Sequence, residues 1–166
     1  MIHPDTELRL VSEQMGHGVF ATRDIPLGTI TWVRDALDQV FSPAEVAALG
    51  ALYQPILKKY AYTNQQGEIV LCWDHARFVN HACDATCLMS GYGFEIAVRD
   101  LRAGQELTDD YGILNLRKPF ACRCGSSQCR GVLQPDDGWR LALGWDEQLR
   151  QAFAQIAAVP QPLWEL

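Results

Sequence analysis

Apolar and polar positions alternate over several short stretches in the first part of the chain. Leu8-Arg9-Leu10-Val11, Val19-Phe20-Ala21-Thr22 and Thr29-Ile30-Thr31-Trp32-Val33 read as brief strands, punctuated by glycines and prolines. The period then changes. Ser42-Pro43-Ala44-Glu45 sets an N-cap, a first-turn proline and a capping-box glutamate in order. Val46, Leu49, Tyr53, Ile56, Leu57 and Tyr60 follow at helical spacing, which predicts one amphipathic helix over about 43–59. Strand patterning returns at Glu68-Ile69-Val70-Leu71-Cys72-Trp73 and at Phe94-Glu95-Ile96-Ala97-Val98. Near the end Asp146 is placed to cap a helix whose apolar face is Leu149, Phe153 and Ile156.

One octapeptide has an echo. Ala21-Thr22-Arg23-Asp24-Ile25-Pro26-Leu27-Gly28 resembles Ala97-Val98-Arg99-Asp100-Leu101-Arg102-Ala103-Gly104. Each reads as a strand, a tight turn with glycine at a positive-φ position, and a return strand. The fold class expected from these patterns is a mostly β protein of short sheets with a few helices.

Composition narrows the class. A chain of 166 residues with 48% hydrophobic and 20% charged residues suits one globular domain, with room for a small appendage. The net charge of −6 argues against general nucleic-acid binding and leaves a lysine-rich partner open. The first residues lack the basic start and apolar run of a signal peptide, and no apolar stretch approaches membrane-spanning length. The expectation is an intracellular protein without a membrane contact, cytoplasmic first, with the nucleus left open. In a reducing compartment the six cysteines read as metal ligands or buried thiols in preference to disulfides.

Four stretches carry candidate chemistry. Phe120-Ala-Cys-Arg-Cys-Gly-Ser-Ser-Gln-Cys-Arg-Gly131 puts Cys122, Cys124 and Cys129 at metal-ligand spacing, one donor short of a closed tetrahedral site. Gly16-His17-Gly18-Val19-Phe20 lets a ligand approach the backbone, although a plain turn with a solvated His17 explains it as well. Arg77-Phe78-Val79-Asn80-His81-Ala82-Cys83-Asp84-Ala85-Thr86-Cys87 is dense in binding groups: the Asn80 amide, the His81 imidazole and two thiols. Gln105-Glu106-Leu107-Thr108-Asp109-Asp110-Tyr111-Gly112 ends an acidic turn in a phenol, which is either an anchoring aromatic or a positioned oxygen.

In this order the four stretches resemble the SET-domain protein lysine methyltransferases. Gly16-His17-Gly18 resembles the family's first cofactor loop. Arg77 to Cys83 resembles its Arg-Phe-x-Asn-His-Ser-Cys motif, and Glu106 to Tyr111 its Glu-Leu-Thr-x-Asp-Tyr motif. Cys122 to Gly131 matches the post-SET Cys-x-Cys-Gly-x-x-x-Cys-x-Gly motif without a gap. The resemblance covers roughly residues 8 to 131. It implies small curved sheets with a pseudoknot, a SET domain over 1–112 with a variable insert at about 41–67, a post-SET zinc segment over 113–135, and a C-terminal helical cap over 136–166. The activity implied is methyl transfer from S-adenosylmethionine to a lysine ε-amine of a protein substrate, by a monomer or a homodimer.

The resemblance also implies roles. Tyr111 stands at the transfer centre. Asn80 holds the amino-acid end of the cofactor, His81 contacts the adenine, and the backbone of Gly16, His17, Gly18 and Val19 borders the methionine part. Cys83 joins Cys122, Cys124 and Cys129 as the fourth ligand of a structural zinc, with Cys87 the competing donor. Tyr62 and Trp73 are candidate walls of a lysine channel, with core packing the other reading. Trp139 is a candidate adenine stack, with packing under the last helix as the alternative. Two departures from the family pattern stand out: Ala85-Thr86 replace its Pro-Asn, and Asp109 occupies a position where the family often has Phe or Tyr. Asp109 faces either the channel or solvent. A second reading of the whole is a non-catalytic SET-like zinc-containing module that binds protein.

Overall fold

A computed structural model describes residues 1–164. The last two residues of the expected cap lie outside the described residues. The chain runs β1 (Thr6–Ser12), β2 (Gly16–Ala21), β3 (Ile30–Val33), β4 (Gln39–Phe41), α1 (Pro43–Ala48), α2 (Gln54–Tyr60), β5 (Ala61–Thr63) and β6 (Ile69–Leu71). It continues with β7 (Asn80–His81), β8 (Cys87–Met89), β9 (Phe94–Ala97), β10 (Glu106–Asp109), β11 (Phe120–Ala121), β12 (Val132–Leu133), α3 (Asp137–Arg140) and α4 (Ala142–Phe153). The architecture is mostly β with a few short helices, as the patterning predicts.

The main sheet has the order β1-β2-β10-β8-β9-β3, with β7 added beside β10. Strand β10 is its hinge: antiparallel to β2, parallel to β7 and β8. The core packs Val19, Ala21, Ile25, Trp32, Cys87, Ala97, Leu101 and Leu107, all buried. A small sheet, β4-β6-β5, carries the insert, and β11 pairs with β12 across the cysteine segment.

The helix expected over 43–59 is two helices. The capping box forms as read: Ser42 Oγ accepts from the Glu45 N–H, and the Glu45 carboxylate accepts from the Ser42 N–H at 2.7 Å. But α1 stops at Leu49, whose backbone is extended. Pro55 then occupies the first turn of α2. Inside one continuous helix its ring would clash with the carbonyl four residues back and remove a hydrogen bond, about 3 kcal/mol. At a second helix start it costs little. Asp146 likewise is no cap. Helix α4 begins at Ala142, and its buried side is Trp145 and Ala152 with Leu149 and Phe153 half-buried; Ile156 falls in a separate 3-10 turn.

The two echoed octapeptides do not form hairpins. They pair with each other. Ile25 and Leu101 exchange both backbone hydrogen bonds, at 2.9 and 2.8 Å. The Gly104 N–H donates to Ala21 O, and the Gly28 N–H donates to Ala97 O. Asp100 accepts from the Leu27 N–H, and Asp24 from the Ala103 N–H, each at 2.9 Å. Each repeat thus caps the other's turn. The glycines have φ of +90° and +86°, as the repeat predicts. The flanking strands part: β2 and β3 sit at different places in the sheet, as do β9 and β10.

Candidate active site and cysteine cluster

The site is assembled where β10 runs beside β7. Thr108 pairs with Asn80 and Asp109 with His81, and the Ala82 N–H donates to Asp109 O at 3.1 Å. Two stretches some 26 residues apart in sequence therefore lie side by side. Asp110 then caps a one-turn 3-10 helix by accepting from the Gly112 N–H. That turn points Tyr111 back over β7. Its hydroxyl donates to Val79 O at 2.7 Å, and its ring packs against His81 and Phe120. Burial, with the carboxyls of Asp109, Glu95 and Glu106, pushes the phenol pKa upward, so the hydroxyl stays protonated. Tyr111 lines two cavities at once.

The smaller cavity is a recess bordered by Gly16, His17, Tyr60, Arg77, Asn80 and Tyr111. The Asn80 amide nitrogen donates to His17 O at 3.1 Å and to Glu106 Oε1 at 2.7 Å, which ties the glycine loop to β7 and β10. A Cβ on Gly18 would stand 2.2 Å from Glu106 Oε1 and 2.9 Å from Asn80 Nδ2. Only glycine lets that backbone come so close. Val19 is fully buried in the core under the loop. Trp139 lines neither cavity and is 73% exposed on α3, so it is not packed under the last helix.

The larger cavity has a volume of about 530 Å³ and lies between the insert and the segment 114–120. Tyr62, Trp32, Leu57, Cys72 and Phe120 give it apolar walls, and Glu95 and Asp109 give it two acids. Tyr62 meets Trp32 edge to face at 6.0 Å. Trp73 is not in the wall. Its indole N–H donates to Asp35 outside, and its neighbour Cys72 turns inward instead. Asp109, 2% exposed, faces this cavity and not solvent.

Glu95 escaped the sequence reading, although one acid inside the apolar run Phe94–Val98 was a visible signal. Burial raises its pKa from 4.5 to about 7, against hydrogen bonds from Thr31 and Cys87 that pull it down. The folded state therefore holds this proton more tightly than the unfolded chain. The stabilisation is complete below about pH 4.5 and is lost as pH rises through about 7. Glu95→Gln should accordingly match the wild type near pH 4.5 and exceed it at pH 8, by on the order of 2–3 kcal/mol. Thermal unfolding of both proteins across that range checks it; a difference independent of pH would refute the shift.

The third feature is sulfur-rich. Strands β11 and β12 close a loop that returns Cys122, Cys124 and Cys129 to the end of β7. Cys83 Sγ lies 3.8 Å from Cys122 Sγ, which lies 3.6 Å from Cys129 Sγ. Four sulfurs at about 2.3 Å from a tetrahedral ion are about 3.8 Å apart. The donor atoms of His81, Cys83, Cys122 and Cys124 all fall within 4.8 Å of one another, so the cluster can hold a metal ion. Burial raises the Cys124 thiol, but hydrogen bonds from the backbone of Cys83 and Ser126 outweigh it and bring the pKa down to about 7. A thiol that ionises near neutrality loses little in giving up its proton to a metal. Cys87 is fully buried, with its sulfur beside Thr86 Oγ1, and takes no part in the cluster.

His81 had no expected place there. Its Nε2 lies 3.3 Å from Cys83 Sγ, and its Nδ1 is 3.2 Å from Asp109 O. Burial lowers its pKa, partly opposed by Asp110, so the ring is held neutral. Arg130, between the last cysteine and β12, donates its backbone N–H to Cys83 Sγ and two guanidinium N–H groups to Asp110. Nothing in the spacing of the sequence points to that ion pair.

The family model described as SET domain matches residues 16–112. The chain is 31% identical over 96 residues to the histone-lysine N-methyltransferase ASHR3 of Arabidopsis thaliana, covering 52% of this chain and 19% of the relative. It is 29% identical over 151 residues to the histone-lysine N-methyltransferase ASHH2 of the same plant, covering 77% of this chain and 8% of the relative. It is 31% identical over 139 residues to the mouse histone-lysine N-methyltransferase EHMT1, covering 72% and 10%. The match therefore spans less than a fifth of each relative's length.

Proposed function

The chain belongs to the SET-domain family, and on that premise we propose that it is a protein-lysine N-methyltransferase that uses S-adenosylmethionine. The observation that carries the proposal is Tyr111, which lines a polar recess on one side and an apolar, acid-ended cavity on the other. A transfer centre needs such a wall, with donor and acceptor entering from opposite faces.

The residues of the recess fit the cofactor. Glycine at position 18 lets the loop backbone close on Glu106 and Asn80, and Asn80 stands beside the backbone of His17 in the recess. In this reading Asn80 takes the amino-acid end, His81 borders the adenine, and the backbone of Gly16 to Val19 follows the methionine part. When bound, S-adenosylmethionine supplies an activated methyl on a cationic sulfur. Trp139, exposed on α3 and outside both cavities, is proposed as an adenine stack from the family resemblance alone.

The acceptor side must deliver a neutral amine. Lysine has a pKa of about 10.4, so roughly one amine in a thousand or fewer is neutral at pH 7. Tyr62, Trp32, Leu57 and Phe120 desolvate whatever enters the larger cavity and lower that pKa. The Tyr111 hydroxyl and Val79 O are fixed by their mutual hydrogen bond, and the phenol oxygen keeps a lone pair for the incoming groups.

We assign a structural zinc to Cys83, Cys122, Cys124 and Cys129: Cys122 Sγ stands 3.8 Å from Cys83 Sγ and 3.6 Å from Cys129 Sγ, and Cys124 shares with Cys83 and Cys122 a group of donor atoms within 4.8 Å of one another. It would tie the 113–135 segment against β7 and hold the wall that residues 114–120 give the larger cavity. Zinc removal with a chelator at neutral pH should release this segment to proteolysis near 117–123 and abolish cofactor binding. Elemental analysis of Cys122→Ser should give less than one zinc per chain; a full equivalent would exclude Cys122 as a ligand.

The proposed units are a SET domain over 1–112, the zinc segment over 113–135 and a cap over 136–166. The substrate is a lysine-bearing protein, and the relatives' names make core histones the first candidates. Among the described residues no helix is long and apolar enough to cross a membrane. Calorimetric titration of S-adenosylmethionine into zinc-loaded protein should give one saturable site, and core histones should gain tritium from the labelled cofactor. Cofactor binding without transfer to any lysine protein would favour the non-catalytic module.

A further inference from the structure

The roles above leave the cations of the larger cavity unused. The chain contains three lysines, Lys58, Lys59 and Lys118, and all three line this one cavity, together with Arg77 and Arg117. All five are exposed, so their charges stand at its mouth. Lys58 and Lys59 come from the last turn of α2, and Arg117 and Lys118 from the facing segment 114–120. The acids that line the cavity, Glu95 and Asp109, are 5% and 2% exposed and lie inside it. Among the described residues none of the five cations forms an ion pair, whereas Arg9, Arg23, Arg102, Arg130, Arg140 and Arg150 each do. The contacts they make leave the charge uncompensated. Arg117 Nη2 donates to Gly67 O at 3.0 Å, Lys59 Nζ stands 5.0 Å from the centre of the Tyr60 ring, and Arg77 Cζ stands 5.3 Å from that of Phe78. The whole chain carries a net −6, so this cluster runs against the charge of the molecule. Like charges gathered at a cleft repel one another and draw in a ligand of the opposite sign. Lys59 and Arg77 also border the smaller recess, whereas Lys58, Arg117 and Lys118 line the larger cavity alone.

We propose that Lys58, Arg117 and Lys118 select a peptide segment whose target lysine is flanked on both sides by aspartate or glutamate. The proposal rests on the methyltransferase reading and names the class of substrate. A lysine ammonium that approaches alone meets like charge at the mouth. Carboxylates beside it in the peptide offset that repulsion and pair with cations on the two facing walls. Once the lysine is inside, the same cations favour the neutral amine that transfer requires. A flank of basic residues meets repulsion instead, so a basic histone tail is the weaker acceptor. A nucleic acid would need cations along a continuous surface, and this acidic protein gathers them at one cavity mouth.

The test uses two fluorescent peptides of equal length, each with one central lysine, flanked in one by aspartate and glutamate and in the other by arginine. Both are titrated into zinc-loaded protein, and both are then offered as methyl acceptors. The methylated peptide is read by its mass, so that methyl groups on the chain's own lysines do not count. At low salt the acidic peptide should bind about tenfold more tightly than the basic one. The gap should close at about 1 M salt, where the Debye length is about 3 Å. The double variant Lys58→Glu, Lys118→Glu should bind the two peptides about equally, whereas a purely structural effect would weaken both alike. Arg117 is kept because it holds Gly67. The milder pair Lys58→Gln, Lys118→Gln serves if the first does not fold, and should narrow the gap to about threefold. Equal affinities in the wild type, a preference for the basic peptide, no binding of either, or a gap unchanged in the variants would overturn the proposal. So would a single-stranded oligonucleotide that binds more tightly than the acidic peptide and is lost in the variants, since the cations would then belong to a nucleic-acid contact. Preferential binding of the acidic peptide without methyl transfer removes the transferase reading and leaves the charge preference. Transfer to both peptides with equal kcat/KM removes the preference and leaves the transferase reading.

Discussion

Tyr111→Phe is expected to reduce methyl transfer by about 10²-fold, with S-adenosylmethionine affinity nearly unchanged. The substitution removes one oxygen from the wall between the two cavities and keeps the ring that packs on His81 and Phe120. A loss of this size is about 2.7 kcal/mol of transition-state stabilisation. Stability should fall by only about 1 kcal/mol, because Val79 O loses its donor. Single-turnover rates at saturating cofactor, set beside calorimetric affinities, separate the two effects. A variant as active as the wild type would remove Tyr111 from the transfer centre. A variant that loses the cofactor would make it a wall of the recess only.

Asp110→Ala should be the most damaging single change to folding, costing about 3–5 kcal/mol. Asp110 is 2% exposed and collects donors from three separate parts of the chain. Arg130 gives it two N–H groups, one at 2.7 Å. Trp145 of α4 gives its indole N–H at 3.3 Å, and Gly112 its backbone N–H at 3.0 Å. Alanine would leave a guanidinium only 22% exposed with no closer partner than the Asp137 carboxylate, 3.7 Å from its Nε. Breaking one side of such a pair costs far more than the pair contributes, since the remaining charge has lost its water. The melting temperature should drop by on the order of 10 °C for a chain of this size. Arg130→Ala alone should be nearly as harmful, and the double variant little worse than either. A drop below about 1 kcal/mol for Asp110→Ala would mean that the cysteine segment and the cap are not braced through this residue.

This brace also explains the fate of the tryptophans. Trp139, Trp145 and Trp164 are alike in side chain and close in sequence, but they end in different places. Trp145 is buried at 6% exposure on Asp110, while Trp139 and Trp164 remain 73% and 63% exposed. Composition could not separate Trp139 from Trp145, because the difference lies in which turn of α3 and α4 faces the 3-10 helix at Tyr111.

Local chemistry read directly from the chain stands up well. The capping box at Ser42, the positive-φ glycines of the two echoes and the cysteine spacing each act within a few residues, so neighbours in sequence suffice to specify them. The single helix over 43–59 failed for an equally local reason, the ring of Pro55, which hydrophobic spacing alone does not register.

The two octapeptides mark the limit of such reading. Their similarity and their glycines are legible, but whether each folds on itself or onto its twin depends on strands 70 or more residues away, joined only when β10 enters between β2 and β8. The same non-local step creates the site. The four chemical stretches are visible in order along the chain, and their content suffices to identify the family. That Asp109 faces a cavity, that Glu95 shares it, that Cys72 displaces Trp73 from the wall and that Cys83 joins the sulfur cluster while Cys87 does not are all consequences of register. Side chains alternate along a strand with a period of two, so a shift of one residue exchanges inside for outside. Sequence sets which groups are available within each strand; only the packing of one strand against the next decides which of them meet.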